Sequence, residues 1–320
     1  MISTDDIEWR PKDAPSALRA LELLGRRLRE KGDQRAVFCD IYILITRRVV
    51  GIMSADDNAG FIDARWLSLL TGRFAEEALI ATLTSLRNTT VRRAAWRFAN
   101  HYSAHKLAKP CQDAILGVSA HINYDLPIVV YDHLAAEGAA LDVDRLKRYR
   151  HDYMRVNKIL EASIPECLDL LVERYQCPIT TRLLQVPLCR PFLCHAVHKT
   201  LVAWRDRVWS ETLELLHAPN ADVRRAIIER MDRRAGRIAQ LVCSQSALGL
   251  ALRGEPPPFR LSRAPHTWPD VDPTRAAERT VTDHVLERAG RQLNPAGWTP
   301  AHRQAREPSA GGHGTRTVPS

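Results

Sequence analysis

Residues 120–131 read AHINYDLPIVVY, Ala120 to Tyr131, and the fold turns on how this stretch is placed. It lies inside a long apolar run opened by Pro110, and proline suits the first position of a helix, where its missing N–H removes no bond. One helix is therefore expected over about 110–137. On it His121 and Asp125 stand four residues apart, so their side chains share a face, one turn from each other. Pro127 follows two residues later. Inside a helix its ring clashes with the carbonyl of residue 123 and removes one backbone hydrogen bond, which predicts a kink where the polar pair sits. An imidazole, the Asn123 carboxamide, a carboxylate and a freed carbonyl are thus gathered within an apolar element.

Amphipathic segments surround this one. Residues 14–31 form an expected helix, with Asp13 as cap and Leu18, Leu21, Leu24 and Leu28 on one face. The next, 34–53, is more apolar: Phe38, Ile41, Tyr42, Ile45, Val49 and Ile52 make its inward stripe and Asp40 falls on the far side. Tyr42 and Thr46, four apart, put two hydroxyls along the flank of that stripe. SADDNAG at 54–60 reads as a loop, 63–87 as a helix, and 91–107 as another capped by Thr89 or Thr90.

Asp142 caps an expected helix over 143–164. Folded as an antiparallel hairpin on 110–137, it brings position 157 level with 123 and position 152 level with 130. Asn157, with Asp152 on its flank, then faces the HINYDLP segment. Pro165 kinks or restarts the helix, 176–190 with Pro178 and Pro187 is irregular, and helices follow over 191–217 and, capped by Asn220, 222–253. Nothing alternates with period two, so the expected fold is all-α: a single multi-helix bundle over 1–253 with a kinked central helix. Residues 254–320 are rich in Pro, Gly and Arg and read as a mostly disordered tail, with one short helix near 274–289.

Composition narrows the class. Hydrophobic residues at 45% and charged residues at 26% are ordinary globular values. No stretch approaches the roughly 18 uninterrupted apolar residues of a membrane span. The start, MISTDDIEWRPKD, is acidic and lacks the apolar core of a secretory signal, so a cytoplasmic location is expected. Seven scattered cysteines, an odd number, read as reduced thiols rather than a disulfide framework. The net charge of +9 is spread as arginines along every helix with no aromatic-interleaved basic stripe, which argues against nucleic acid as partner.

Three chemistries fit the polar focus. In the first, Asp125 orients His121 and tunes its pKa for acid–base work on a small, largely apolar molecule, a lyase, cyclase or isomerase type of reaction. Asn123, Asn157, Asp152, Tyr42 and Thr46 would then shape the pocket. In the second, His121 and Asp125 are ligands of a divalent metal, the cofactor of a hydrolase whose bound water attacks; Asn157, Asp152 or the His101/His105 pair would add ligands. In the third the chain is a non-catalytic binding or scaffold protein, and the motif only stabilises a bent helix. Cys189, Cys194 and His198 have a spacing zinc can use, but they open an apolar helix. The sequence leaves the oligomeric state open.

The segment Ala120, His121, Ile122, Asn123, Asp125, Leu126, Pro127 resembles the hallmark of an uncharacterised, mainly actinobacterial family of helical proteins. Similar stretches are Tyr42 to Thr46, Phe61 to Asp63 with Phe74-Ala75, Asp152 to Asn157, and Trp204 to Trp209, covering about 35–216 in all. The resemblance implies an all-helical fold and marks the same motif residues; it brings no activity with it. His-x-x-x-Asp before a proline is also similar to one segment of the zinc-dependent phospholipase C and P1 nuclease class. There the proline stands two residues further on, and several further histidines complete the site.

Overall fold

The computed structural model describes residues 2–53, 60–87, 89, 93–138 and 142–252, and among them every regular element is helical. The order is α1 (Ala14–Glu30), α2 (Ala36–Met53), α3 (Ala64–Leu86), α4 (Ala94–Ala104), α5 (Pro110–Ala120), a π turn (His121–Asp125), α6 (Leu126–Ala136), α7 (Val143–Glu173), α8 (Pro178–Gln185), α9 (Cys189–His217) and α10 (Ala221–Leu252). The expected tail over 254–320, its short helix and most of the SADDNAG loop lie outside the described residues.

Caps set several of the starts. Asp13 accepts from the Ser16 amide at 2.8 Å and Ser16 returns its hydroxyl oxygen to the Asp13 amide, a reciprocal box that opens α1. Asp63 accepts from the Trp66 amide, Asp142 from those of Asp144 and Arg145, and Asn220 from that of Val223. The α4 start differs from expectation. It begins at Ala94 after Arg93, with no side-chain cap, and Thr90 lies outside the described residues.

The rod made of α5, the π turn and α6 runs through the middle, packed on α2, α3, α4, α9 and α10. Residues 110–136 also form the one described helical run long and apolar enough to cross a membrane, yet 89% of its apolar window is buried in the bundle. A helix that is apolar all round and enclosed by its own fold is a core element.

At the place of the expected kink the chain makes a π turn. The Leu126 amide bonds to the His121 carbonyl, five residues back, so one extra residue is accommodated before α6. Pro127 has no N–H to donate, and its neighbours compensate. Arg234 on α10 donates to the Asn123 carbonyl at 3.2 Å, and Thr212 on α9 donates to the Pro127 carbonyl at 3.3 Å.

Four other expectations are corrected. The α6–α7 pair is not a hairpin: α7 packs on α2 and α9, and it is α9 that lies along α6. Pro165 does not restart the helix, since α7 runs through it; the carbonyl it releases belongs to Glu161, an exposed residue, where water can replace the lost bond. Pro178 opens α8 as its first residue rather than marking an irregular segment. Asp40 is buried, because that side of α2 meets other helices: it pairs with Arg29, with Arg174 at 2.9 Å, and accepts from the Tyr175 hydroxyl at 2.7 Å.

Candidate active site

The π turn holds His121 and Asp125 in one buried cluster. Asp125 accepts three hydrogen bonds: from Arg93 Nη1 at 2.8 Å, from Trp96 Nε1 at 2.8 Å, and from His121 Nδ1 at 3.0 Å. An ionised carboxylate only accepts, so the imidazole proton sits on Nδ1 and the lone pair on Nε2. Aromatic rings fix the imidazole plane. Phe74 stacks on it with centroids 3.4 Å apart and planes 4° apart, while Tyr42 and Phe38 meet it edge-on at 4.7 and 5.8 Å. Phe38 comes this close because Gly117 lies beneath it; a Cβ there would overlap the phenyl ring. Burial lowers the His121 pKa below its ordinary value against the opposing pull of Asp125, so the ring is neutral at neutral pH.

Arg93 bridges two acids. Its other Nη donates to Glu77 at 2.6 Å, and all three side chains are buried. One guanidinium cannot neutralise two carboxylates in a low-dielectric core. Burial raises the Glu77 pKa, even though Arg93 opposes the shift. A raised pKa stabilises the fold below the ordinary glutamate range, and that contribution is lost as the pH rises through the folded value. Glu77→Gln, which keeps an acceptor for Arg93, is therefore expected to flatten the fall in unfolding free energy between weakly acidic and neutral pH. Urea titrations of both proteins across that range check it, and parallel curves would place the proton elsewhere.

Beside the imidazole lies a cavity of about 100 Å³, walled by α2, α3, the π turn, α7 and α9. Its lining is overwhelmingly aliphatic and aromatic, with Ile41, Ile45, Leu70, Phe74 and Val156 among the wall residues. Three of its lining residues carry buried polar atoms with no hydrogen-bond partner among the described residues: His121 Nε2, Tyr42 Oη and Thr46 Oγ1. Burial raises the Tyr42 pKa well above its ordinary value, so its hydroxyl remains a donor.

His121, Tyr42 and Thr46 all line the cavity, with Asp125 hydrogen-bonded to the imidazole behind it. Asn123 is buried but is not part of the cavity wall; its amide nitrogen donates to Ser119 at 3.2 Å. Asn157 stands one step back, accepting from Arg205 Nε at 2.7 Å. Asp152 serves elsewhere: its two oxygens accept from the Ile62 and Asp63 amides at 2.8 and 2.7 Å, anchoring the start of α3. Both asparagine and aspartate were placed by the hairpin that α9 displaces.

The metal reading gains no support from this geometry. Asp125 has both oxygens committed to a guanidinium, an indole and the imidazole. Among the described residues no group of three or more His, Cys, Asp or Glu is placed to hold an ion, His101 with His105 and Cys189 with Cys194 and His198 included. A divalent site needs more ligands than this.

Sequence reasoning missed Arg93, Phe74, Glu77 and Arg205 as site residues. Arg93 was one arginine among many, and no periodicity marks it. Arg205, inside the Trp204 to Trp209 stretch, carried the better signal: a charge flanked by two tryptophans on a helix.

A sequence model of a family of unknown function (DUF5995) matches residues 15–245. No curated protein and no solved structure matches the chain.

Proposed function

The chain belongs to that family of unknown function, so its own cavity must carry the functional reading, and we propose an enzyme that moves a proton on a small, largely apolar molecule. The observation that carries this is that three residues lining one apolar cavity, His121, Tyr42 and Thr46, each hold a buried polar atom with no partner among the described residues. Each orphaned polar atom costs about 1–3 kcal/mol, a standing loss that a bound guest would remove. His121 Nε2 acts as the base, and Asp125 keeps the tautomer and orientation. The Tyr42 and Thr46 hydroxyls hydrogen-bond an oxygen of the guest as charge develops on it. The wall is overwhelmingly aliphatic and aromatic, which suits lyase, cyclase or isomerase chemistry. A cytoplasmic setting belongs to the same proposal, supported by seven free cysteines.

Two measurements test it. If the hydroxyls serve a guest, Tyr42→Phe and Thr46→Val leave the urea midpoint unchanged or raise it, because each removes an unpaired buried group. A loss of about 1–3 kcal/mol in both would mean the hydroxyls bond within the fold, and the scaffold reading would replace this one. For the chemistry, purified protein is incubated with a small-molecule extract and followed by mass spectrometry. Wild type, but not His121→Gln, should deplete a compound; equal depletion by both, or none by either, sinks the proposal.

A further inference from the structure

We infer that the guest of the core cavity carries a carboxylate and that Arg205 is the group that binds it. The inference rests on reading the cavity as a substrate site and adds the class of molecule. Arg205, on α9, is 5% exposed and lines the cavity together with Tyr42, Thr46 and His121. Its contacts are all neutral: Nε donates to Asn157 Oδ1 at 2.7 Å, Nη2 donates to the Tyr153 carbonyl, and the guanidinium carbon lies 4.1 Å from the centroid of the Tyr153 ring. No carboxylate hydrogen-bonds to it among the described residues. Asp206, next in sequence, is exposed and acts on it only through space. Arg93, the other arginine of this region, is as deeply buried and has two carboxylates.

A guanidinium has five N–H donors and stays charged at any working pH, so burying it with neutral acceptors alone leaves both charge and donors uncompensated. Two donors are engaged here, which leaves three. Arginine is the residue that takes a carboxylate in a two-pronged grip. One buried cation balances one negative charge, so a monocarboxylate fits; a phosphate dianion would leave net charge and unmet oxygens in an apolar cavity. Size limits the rest. An engineered cavity of about 150 Å³ takes benzene, so one of about 100 Å³ suits a body of about four carbons. The guest is then held at one end by its acid group, with its carbon skeleton against the aliphatic wall and within reach of the imidazole. Asn157 is a positioning residue, steering the guanidinium through Nε.

The test compares sodium butanoate with butanamide, a neutral molecule of nearly the same shape, by calorimetric titration and thermal shift at constant ionic strength. Wild type is expected to bind the acid at least about tenfold more tightly than the amide. Arg205→Met should abolish the preference, and Arg205→Lys, which retains the charge, should keep part of it. Equal affinity for acid and amide in wild type, binding of neither, or a preference surviving in Arg205→Met overturns the inference. The proton-transfer reading is judged separately by turnover: if the preference holds while no compound is consumed, that reading fails and this one stands.

Discussion

Asp125→Ala is expected to lower the free energy of unfolding by about 3–5 kcal/mol, the range for breaking a buried ion pair from one side. The size follows from what Asp125 holds. Removing it leaves Nη1 of Arg93, the indole N–H of Trp96 and the Nδ1–H of His121 without an acceptor in one step, all in the core. Arg93 would keep Glu77, whose carboxyl would then ionise more readily and recover part of the loss. Asp125→Asn should fare only slightly better, because its NH₂ must face a donor whichever way the amide is turned. Urea unfolding followed by tryptophan fluorescence measures both variants. A loss below about 1 kcal/mol would show that Arg93 and Trp96 find other acceptors, and that the cluster is less constrained than its hydrogen bonds imply.

His121→Gln is expected to do the reverse, sparing stability and removing turnover. Glutamine can still donate to Asp125 but has no basic nitrogen, so the unfolding free energy should change by less than about 1 kcal/mol while turnover falls by roughly 10²–10⁴-fold. The pH profile of wild type carries a second signature. A base whose pKa is lowered by burial stays competent at pH values where an ordinary histidine is protonated. The acid limb of turnover should therefore lie below pH 6.5, the ordinary histidine value. A limb at or above that value would mean the base is some other group.

What the sequence made legible follows from how locally each feature is determined. The helices of 14–30, 36–53 and 110–136 are written in apolar spacing and in caps such as Asp13, which act over four or five residues. The His121–Asp125 pair was legible for the same reason: four residues on a helix fix the geometry. The partners of that pair were not. Arg93 and Phe74 reach it from other helices, and nothing within α3 or α4 distinguishes an arginine turned into the core from one turned to water. The hairpin error shows the same limit. Short connections predict neighbours, but α6 is apolar on every side, and the choice among helices able to cover it fell to α9 through contacts 85 residues apart, such as Thr212 to Pro127. Pro127 itself was legible as a disturbance, while its form depended on Arg234 arriving from α10.

The surplus residue in the π turn also sets the clocking of everything after it. Each residue advances a helix by about 100°, so α6 is rotated by that amount relative to an uninterrupted continuation of α5. The first half of the rod sets Gly117 against Phe38 while the second half buries Val130 and Leu134 in the core. Deleting any single residue between 121 and 125 would therefore not act as a local scar. It would turn the whole downstream half like a misthreaded bolt, swinging apolar side chains toward α9 and α3 at the wrong azimuth and detaching the imidazole from its acid in the same motion.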